Sequence, residues 1–198
     1  MAVLTYCAHD IEVDHDKIEN EVLSIPLDLY HYDEFRNTYI LPLFNPGGRL
    51  GRVDPSDKKE LKWSMDVPEI KKAFSPVLEE LPGRLTILFT PRNQKMNVHL
   101  DCTKKEVGTN QYKWRYVVKG DLEGLYFLND KMEKVYPNKG ERCYVLDGGH
   151  PHSIDVSPRD KWTICIGSPW RENLPKNIDL NKAYYISKPY IKDDWSAR

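Results

Sequence analysis

From Leu85 onward the apolar residues fall into eight short runs: Leu85–Thr90, Met96–Asp101, Lys113–Val118, Leu125–Leu128, Lys131–Tyr136, Cys143–Leu146, Ser153–Val156 and Trp162–Ile166. Each is too short for a helix of ordinary length. Each is bounded by turn residues such as Pro91-Arg-Asn, Lys119-Gly-Asp, Asn129-Asp, Pro137-Asn-Lys-Gly, Asp147-Gly-Gly and Ser157-Pro. Runs of this length and spacing predict a sandwich or jelly roll. Asn129-Asp is expected at a hairpin tip, because both residues tolerate positive φ. The fold expected is mainly β with flanking helices around a double-stranded β-helix, the cupin-like jelly roll.

The chain has 198 residues, which suits one domain spanning 1–198. Within it, 1–82 reads as an irregular and helical N-terminal region, 83–168 as the jelly-roll core, and 169–198 as a polar, tyrosine-rich tail. That tail is expected either to cover the barrel edge or to meet another subunit. A short helix is expected over Asp16–Leu23, and a second from Pro68, with apolar positions at Ile70, Phe74, Val77, Leu78 and Leu81. Pro76 lies inside that pattern and is expected to break or kink it.

Thirty acidic residues face twenty-nine basic ones, so no charge excess advertises a nucleic acid or a membrane surface. No apolar run approaches the roughly 20 residues of a bilayer span. The N-terminal residues lack the basic and long apolar pattern of a signal peptide. The four cysteines, at 7, 102, 143 and 165, form no CxxC pair and read as reduced thiols in a cytoplasmic protein.

Three histidines lie in the strand-rich half. His99 and Asp101 form an H-x-D pair at the end of a predicted strand, where residues two apart share a face. His152 opens a later strand. Two histidines and one carboxylate on one face of an octahedral metal form the facial triad of non-haem iron(II) oxygenases, with the remaining positions open. His150 competes with His152 but precedes a proline in a glycine turn, so it is read as loop or as lining the mouth of the site.

A dicarboxylate such as 2-oxoglutarate needs a fixed cation for its distal end. Lys161 begins the last strand, with Thr163 two positions on, and both are candidates for that clamp. Arg159 is the alternative, in the Ser-Pro-Arg-Asp turn. Arg115 sits mid-strand between Trp114 and Tyr116. It either contacts a cosubstrate or substrate carboxylate or makes a cross-strand salt bridge or cation–π contact.

Residues 84–101, ending in Val-His-Leu-Asp, resemble the first half of the core of the aspartyl/asparaginyl β-hydroxylases, members of the iron(II)/2-oxoglutarate-dependent oxygenase superfamily. Trp114-Arg-Tyr-Val-Val resembles the next core strand, which carries an arginine near the cosubstrate. Residues 140–156 resemble the segment bringing the distal histidine, and Lys161-Trp-Thr-Ile stands where the family has an arginine-bearing final strand. The resemblance spans about residues 84–167. It departs from the family at Lys161, which replaces an arginine one position early, at Val117, where many members have histidine, and at Asp155, a common asparagine.

What the resemblance implies is a dioxygenase. Its iron(II) is bound by His99, Asp101 and His152. Its 2-oxoglutarate is received by Lys161, and dioxygen and an amino acid, peptidyl residue or other small polar molecule are its substrates. A different metal cupin and a non-catalytic jelly-roll binding module are the competing readings. Trp114, Tyr126 and Tyr144 are candidates for packing near the cavity or in the core.

Overall fold

The computed structural model describes residues 2–51, 59–102, 111–167 and 174–195. Twelve strands and two α-helices follow one another as β1 (Ala2–His9), α1 (His15–Ser24), β2 (His31–Asp33), β3 (Thr38–Pro46), β4 (Leu61–Trp63), α2 (Pro68–Glu80), β5 (Arg84–Thr90), β6 (Tyr112–Lys119), β7 (Leu125–Leu128), β8 (Lys134–Val135), β9 (Cys143–Asp147), β10 (His152–Ile154), β11 (Lys161–Gly167) and β12 (Ile178–Ser187). Nine strands form a main sheet in the order β12-β1-β9-β6-β11-β5-β3-β2, with β4 on β3; a small sheet runs β10-β7-β8. All pairings are antiparallel.

The period-2 alternation of strands sorts the main sheet into two faces. Leu85 and Ile87 of β5, Trp114 and Tyr116 of β6, Val145 of β9, and Ile164 and Ile166 of β11 pack against Ile18 and Val22 of α1 and Ile70, Phe74 and Val77 of α2. The opposite face carries Leu88, Thr90, Arg115, Tyr144, Leu146, Lys161 and Thr163, which line a cavity closed on its other side by residues of the small sheet. Val117, Tyr144 and Leu146 meet Leu125 and Phe127 of β7 across that interior. The layers are therefore helices, main sheet, cavity and small sheet, and the expected jelly roll is what forms. Trp114 is packed on the helix side, while Tyr144 does face the cavity.

Four expectations are corrected. The N-terminal region is not irregular, because β1 inserts between β9 and β12, and β3 extends the sheet beyond β5. Its strands were missed because β3 contains Pro42 and Pro46, and Pro42 sits where the β3–β5 register shifts. Helix α2 runs through Pro76 to Glu80. There the carbonyl of Lys71 accepts from the Ser75 hydroxyl at 2.6 Å, and three buried apolar residues hold the helix to the sheet.

The strand expected over Lys131–Tyr136 shrinks to Lys134–Val135. Asn129 side-chain oxygen accepts from the Lys131 and Glu133 amides, so residues 131–133 belong to the turn. Positive φ falls on Met132 (65°), not on Asn129 or Asp130. The strand expected over Met96–Asp101 is reduced to isolated bridge positions at His99, which pairs with His152, and Leu100. Its earlier backbone groups bond elsewhere: the Asn97 amide to Arg36 O and the Met96 carbonyl to the Ser153 hydroxyl.

Strand β12 pairs with β1 along the sheet edge, so this part of the tail covers the barrel. All four cysteines are buried and free. No helix among the described residues is long and apolar enough to cross a membrane.

Phe74 is fully buried and lies 5.3 Å, edge-on, from both Trp114 and Tyr116. Truncating such a side chain removes transfer energy and leaves a cavity. Phe74→Ala is expected to cost about 3–5 kcal/mol in urea unfolding.

Candidate metal centre

His99, Asp101 and His152 meet at one end of the cavity. One donor atom from each lies within 4.8 Å of the others, and among the described residues no other such group of three forms. The backbone brings them together. His99 N donates to His152 O and His152 N to His99 O, both at 3.1 Å. This reciprocal pair locks the two histidines side by side, with ring centroids 4.6 Å apart. Asp101 N donates to Gly148 O at 2.7 Å.

Gly148 is there for space. A Cβ on it would lie 2.8 Å from the Asp101 Cβ and 3.0 Å from Gln111 O. Gly148→Ala is therefore expected to displace Asp101 and lower divalent-metal affinity by about tenfold or more, read by calorimetric titration.

Both imidazoles are oriented for ligation. Nδ1 of His99 lies 2.8 Å from Asn97 O, and Nδ1 of His152 lies 2.8 Å from His150 O. With those nitrogens donating, Nε2 is left bare, and each Nε2 lies 3.6 Å from a different oxygen of Asp101. Such outer hydrogen bonds fix tautomer and ring direction. Burial, with His152 beside it, pushes His99 down to about 3, so it is neutral at pH 7, the form a metal needs.

Asp101 is held from both sides by arginines. Arg115 Nη2 donates to Oδ2. Arg36 donates to Oδ1 from Nε at 3.3 Å and Nη2 at 3.0 Å, and its Nη1 reaches Asp33 at 2.8 Å. Burial alone would raise the Asp101 carboxyl, but Arg115 and Arg36 outweigh it and hold the group well below the usual range. Arg115 of β6 is thus ion-paired with Asp101, which lies outside any strand.

Arg36 was missed by the sequence reading. It lies in the turn between β2 and β3, next to Phe35, whose ring meets His99 edge-on at 6.2 Å. A polar turn about sixty residues before the H-x-D pair carries no local signal of this contact.

The remaining candidates separate clearly. Lys161 and Thr163 are buried and line the cavity with His99, His152 and Arg115. The Lys161 side chain has no hydrogen bond or ion pair with a described residue. Burial pushes it down to about 8. Gly120 permits its placement, because a Cβ there would lie 2.7 Å from Asp160 O and 2.9 Å from the Lys161 Cα.

Arg159 lies outside, its side chain 74% exposed and 3.5 Å from Asp121. His150 is fully buried, with Nε2 on Leu128 O at 2.8 Å and Nδ1 3.4 Å from Thr5 Oγ1. It braces the loop and lends its carbonyl to His152; it does not line the mouth of the site. Tyr126 sits in the outer cluster with Leu100 and Trp195 rather than at the cavity.

Two solved structures match this architecture over most of its length. One is a prolyl-4-hydroxylase from Pseudomonas putida, 9% identical, with 94% of each chain covered and a TM-score of 0.54. The other is a prolyl hydroxylase in complex with a hypoxia-inducible-factor peptide fragment, from Trichoplax adhaerens, 11% identical, with 82% of each chain covered and a TM-score of 0.56. What the chain shares with these two hydroxylases is the jelly-roll fold. At such identities the likeness is one of fold. No family model matches the chain, and neither does the sequence of any curated protein.

The cavity lysine has a thermodynamic consequence. Its folded-state value lies below the 10.5 of a free lysine. Below about pH 8 the folded protein holds a buried charge at a cost, and between about 8 and 10.5 the unfolded chain keeps a proton that the folded one has lost. Stability therefore rises with pH through that window. Lys161→Met is expected to stabilise the ligand-free protein by about 1–3 kcal/mol at pH 7. Urea unfolding across pH should show that gain shrinking as pH rises from about 8 towards 10.5.

Proposed function

We propose that the chain is an iron(II)- and 2-oxoglutarate-dependent dioxygenase that hydroxylates an amino acid, a peptidyl residue or another small polar substrate. The observation that carries this reading is a buried lysine, Lys161, with no ion pair among the described residues, lining the same cavity as His99 and His152. A buried cation without a partner is costly. It is explained by an anion that arrives with its ligand. A cupin that works without cosubstrate has no use for it, and neither does a retired jelly roll.

The donor set fits the metal: two imidazoles and one carboxylate within 4.8 Å, of hard and borderline character, with room for further ligands. His99, Asp101 and His152 would hold iron(II), and when bound with 2-oxoglutarate and dioxygen it supplies an oxidant for C–H hydroxylation, releasing succinate and carbon dioxide. The chain's own residues do the positioning. Lys161, with the Thr163 hydroxyl on the same face of β11, would receive the distal carboxylate of 2-oxoglutarate. Arg115 keeps Asp101 ionised and fixes its rotamer, so the ligand carboxylate is ready before metal arrives. Leu88, Met96, Leu125, Leu146 and Ile154 line the remaining cavity. They keep water away and strengthen each charged contact inside.

The aspartyl/asparaginyl β-hydroxylase subtype rests on the order of the segments 84–101, 114–118 and 140–156. The prolyl hydroxylase crystallised with a peptide supports the inclusion of peptidyl substrates.

Anaerobic titration with iron(II) and 2-oxoglutarate tests the reading. Wild type is expected to develop the weak visible charge-transfer band of a metal-chelated 2-oxo acid. His99→Ala should abolish it, Lys161→Met should weaken 2-oxoglutarate binding by roughly tenfold to a hundredfold, and Arg159→Ala should leave it unchanged. Iron binding without the band would point to another metal cupin. Absence of iron binding would point to a binding module.

A further inference from the structure

The amide between the two H-x-D ligands is bonded to neither sheet. Leu100 N donates to Trp195 O at 2.7 Å, a partner from the last described turn of the chain, Asp193–Trp195. Leu100 itself is fully buried. It points away from the ligand face, as a residue between two same-face neighbours must. Its side chain packs in a separate cluster with Cys102, Tyr126, Leu128 and Trp195. The turn carrying Trp195 is closed by Trp195 N donating to Lys192 O at 3.2 Å, and the Lys192 ammonium sits over the indole ring at 5.4 Å.

Three successive residues are thus tied to three separate segments: His99 to β10, Leu100 to the C-terminal turn, and Asp101 to the Gly148 loop. We infer that the C-terminal turn is a positioning element for the metal ligands, with Trp195 fixing the peptide plane from which His99 and Asp101 are aimed. The inference rests on reading His99, Asp101 and His152 as a metal site.

The physical argument is one of degrees of freedom. The segment around His99 meets β10 at one bridge and forms no ladder with it, so it lacks the repeated hydrogen bonds that stiffen an ordinary strand. Without the Trp195 carbonyl, the Leu100 amide is a buried donor with no partner, and without the indole its side chain borders a cavity. Either change lets the peptide between the ligands tilt. Metal sites feel such tilts strongly, since losses among groups that orient ligands typically reduce metal affinity 10–100-fold. A plain apolar plug would instead lower stability and leave ligand geometry alone.

The test is titration of the full-length protein with cobalt(II), whose visible bands report coordination geometry, alongside amide hydrogen exchange at Leu100. Trp195→Ala and a deletion of residues 193–198 are expected to lower cobalt affinity tenfold or more, alter the visible bands and speed exchange at Leu100. Trp195→Phe should restore affinity to within about threefold. Trp195→Leu carries the same comparison if the alanine variant does not fold. Val77→Ala, in the helix–sheet core, serves as a control destabilised at a distance and should bind cobalt as wild type does. Wild-type affinity in both tail variants overturns the inference, as does an equal loss in the Val77 control. A wild type that binds no cobalt overturns the metal-site reading, and this inference with it.

Discussion

Everything at the candidate site depends on two hydrogen bonds, the reciprocal N–H to C=O pair between His99 and His152. They join a segment that follows β5 to one lying about fifty residues further on, and they hold the two imidazoles with ring centroids 4.6 Å apart. Because the contact is a single bridge, the neighbouring residues are free to bond elsewhere. Asn97 bonds to the Arg36 turn, Leu100 to the C-terminal segment, and Asp101 to the Gly148 loop. A longer ladder would have paired all of these with β10. The short bridge lets four parts of the chain converge on one small volume.

The charges around Asp101 follow from the same convergence. One buried carboxylate accepts from two guanidinium groups, Arg36 from a turn and Arg115 from the middle of the main sheet. Removing charged groups from water is expensive, and close pairing with well-formed hydrogen bonds offsets it. Arg36 is also paired with Asp33, so this cluster is near neutral. Lys161, which also lines the cavity, is the exception. The carboxylate is saturated by two guanidinium groups, while the lysine that shares the cavity with His99 and His152 has no ion pair among the described residues.

The main sheet makes that arrangement possible. Alternate residues of β5, β6, β9 and β11 face the helices or the cavity. The apolar set Leu85, Ile87, Trp114, Tyr116, Ile164 and Ile166 supplies the packing. The interleaved set Arg115, Lys161 and Thr163 lines the cavity. A one-residue slip of β11 against β5 would exchange the two sets. The register from Lys161–Thr90 to Gly167–Arg84 runs without a break, and it is held by the same helix-side packing that stabilises the fold.

Much of this was legible in the sequence. The eight short runs specified a jelly roll because strand length and turn chemistry are local properties. The period of two placed His99 with Asp101 and Lys161 with Thr163, and the proline after His150 favoured His152 over it. Other features required the tertiary structure. Arg36 reads locally as a solvated turn charge, and its bond to Asp101 exists only because the β2–β3 turn folds across the H-x-D segment. Trp195 O reaches Leu100 N from nearly a hundred residues away. Arg159 and Lys161 are two positions apart with similar side chains, and only the register of β11 shows one in solvent and the other in the cavity. Sequence alone determined which residues share a face, since that follows from backbone periodicity. The tertiary structure decided which faces meet, since that depends on packing between segments remote along the chain.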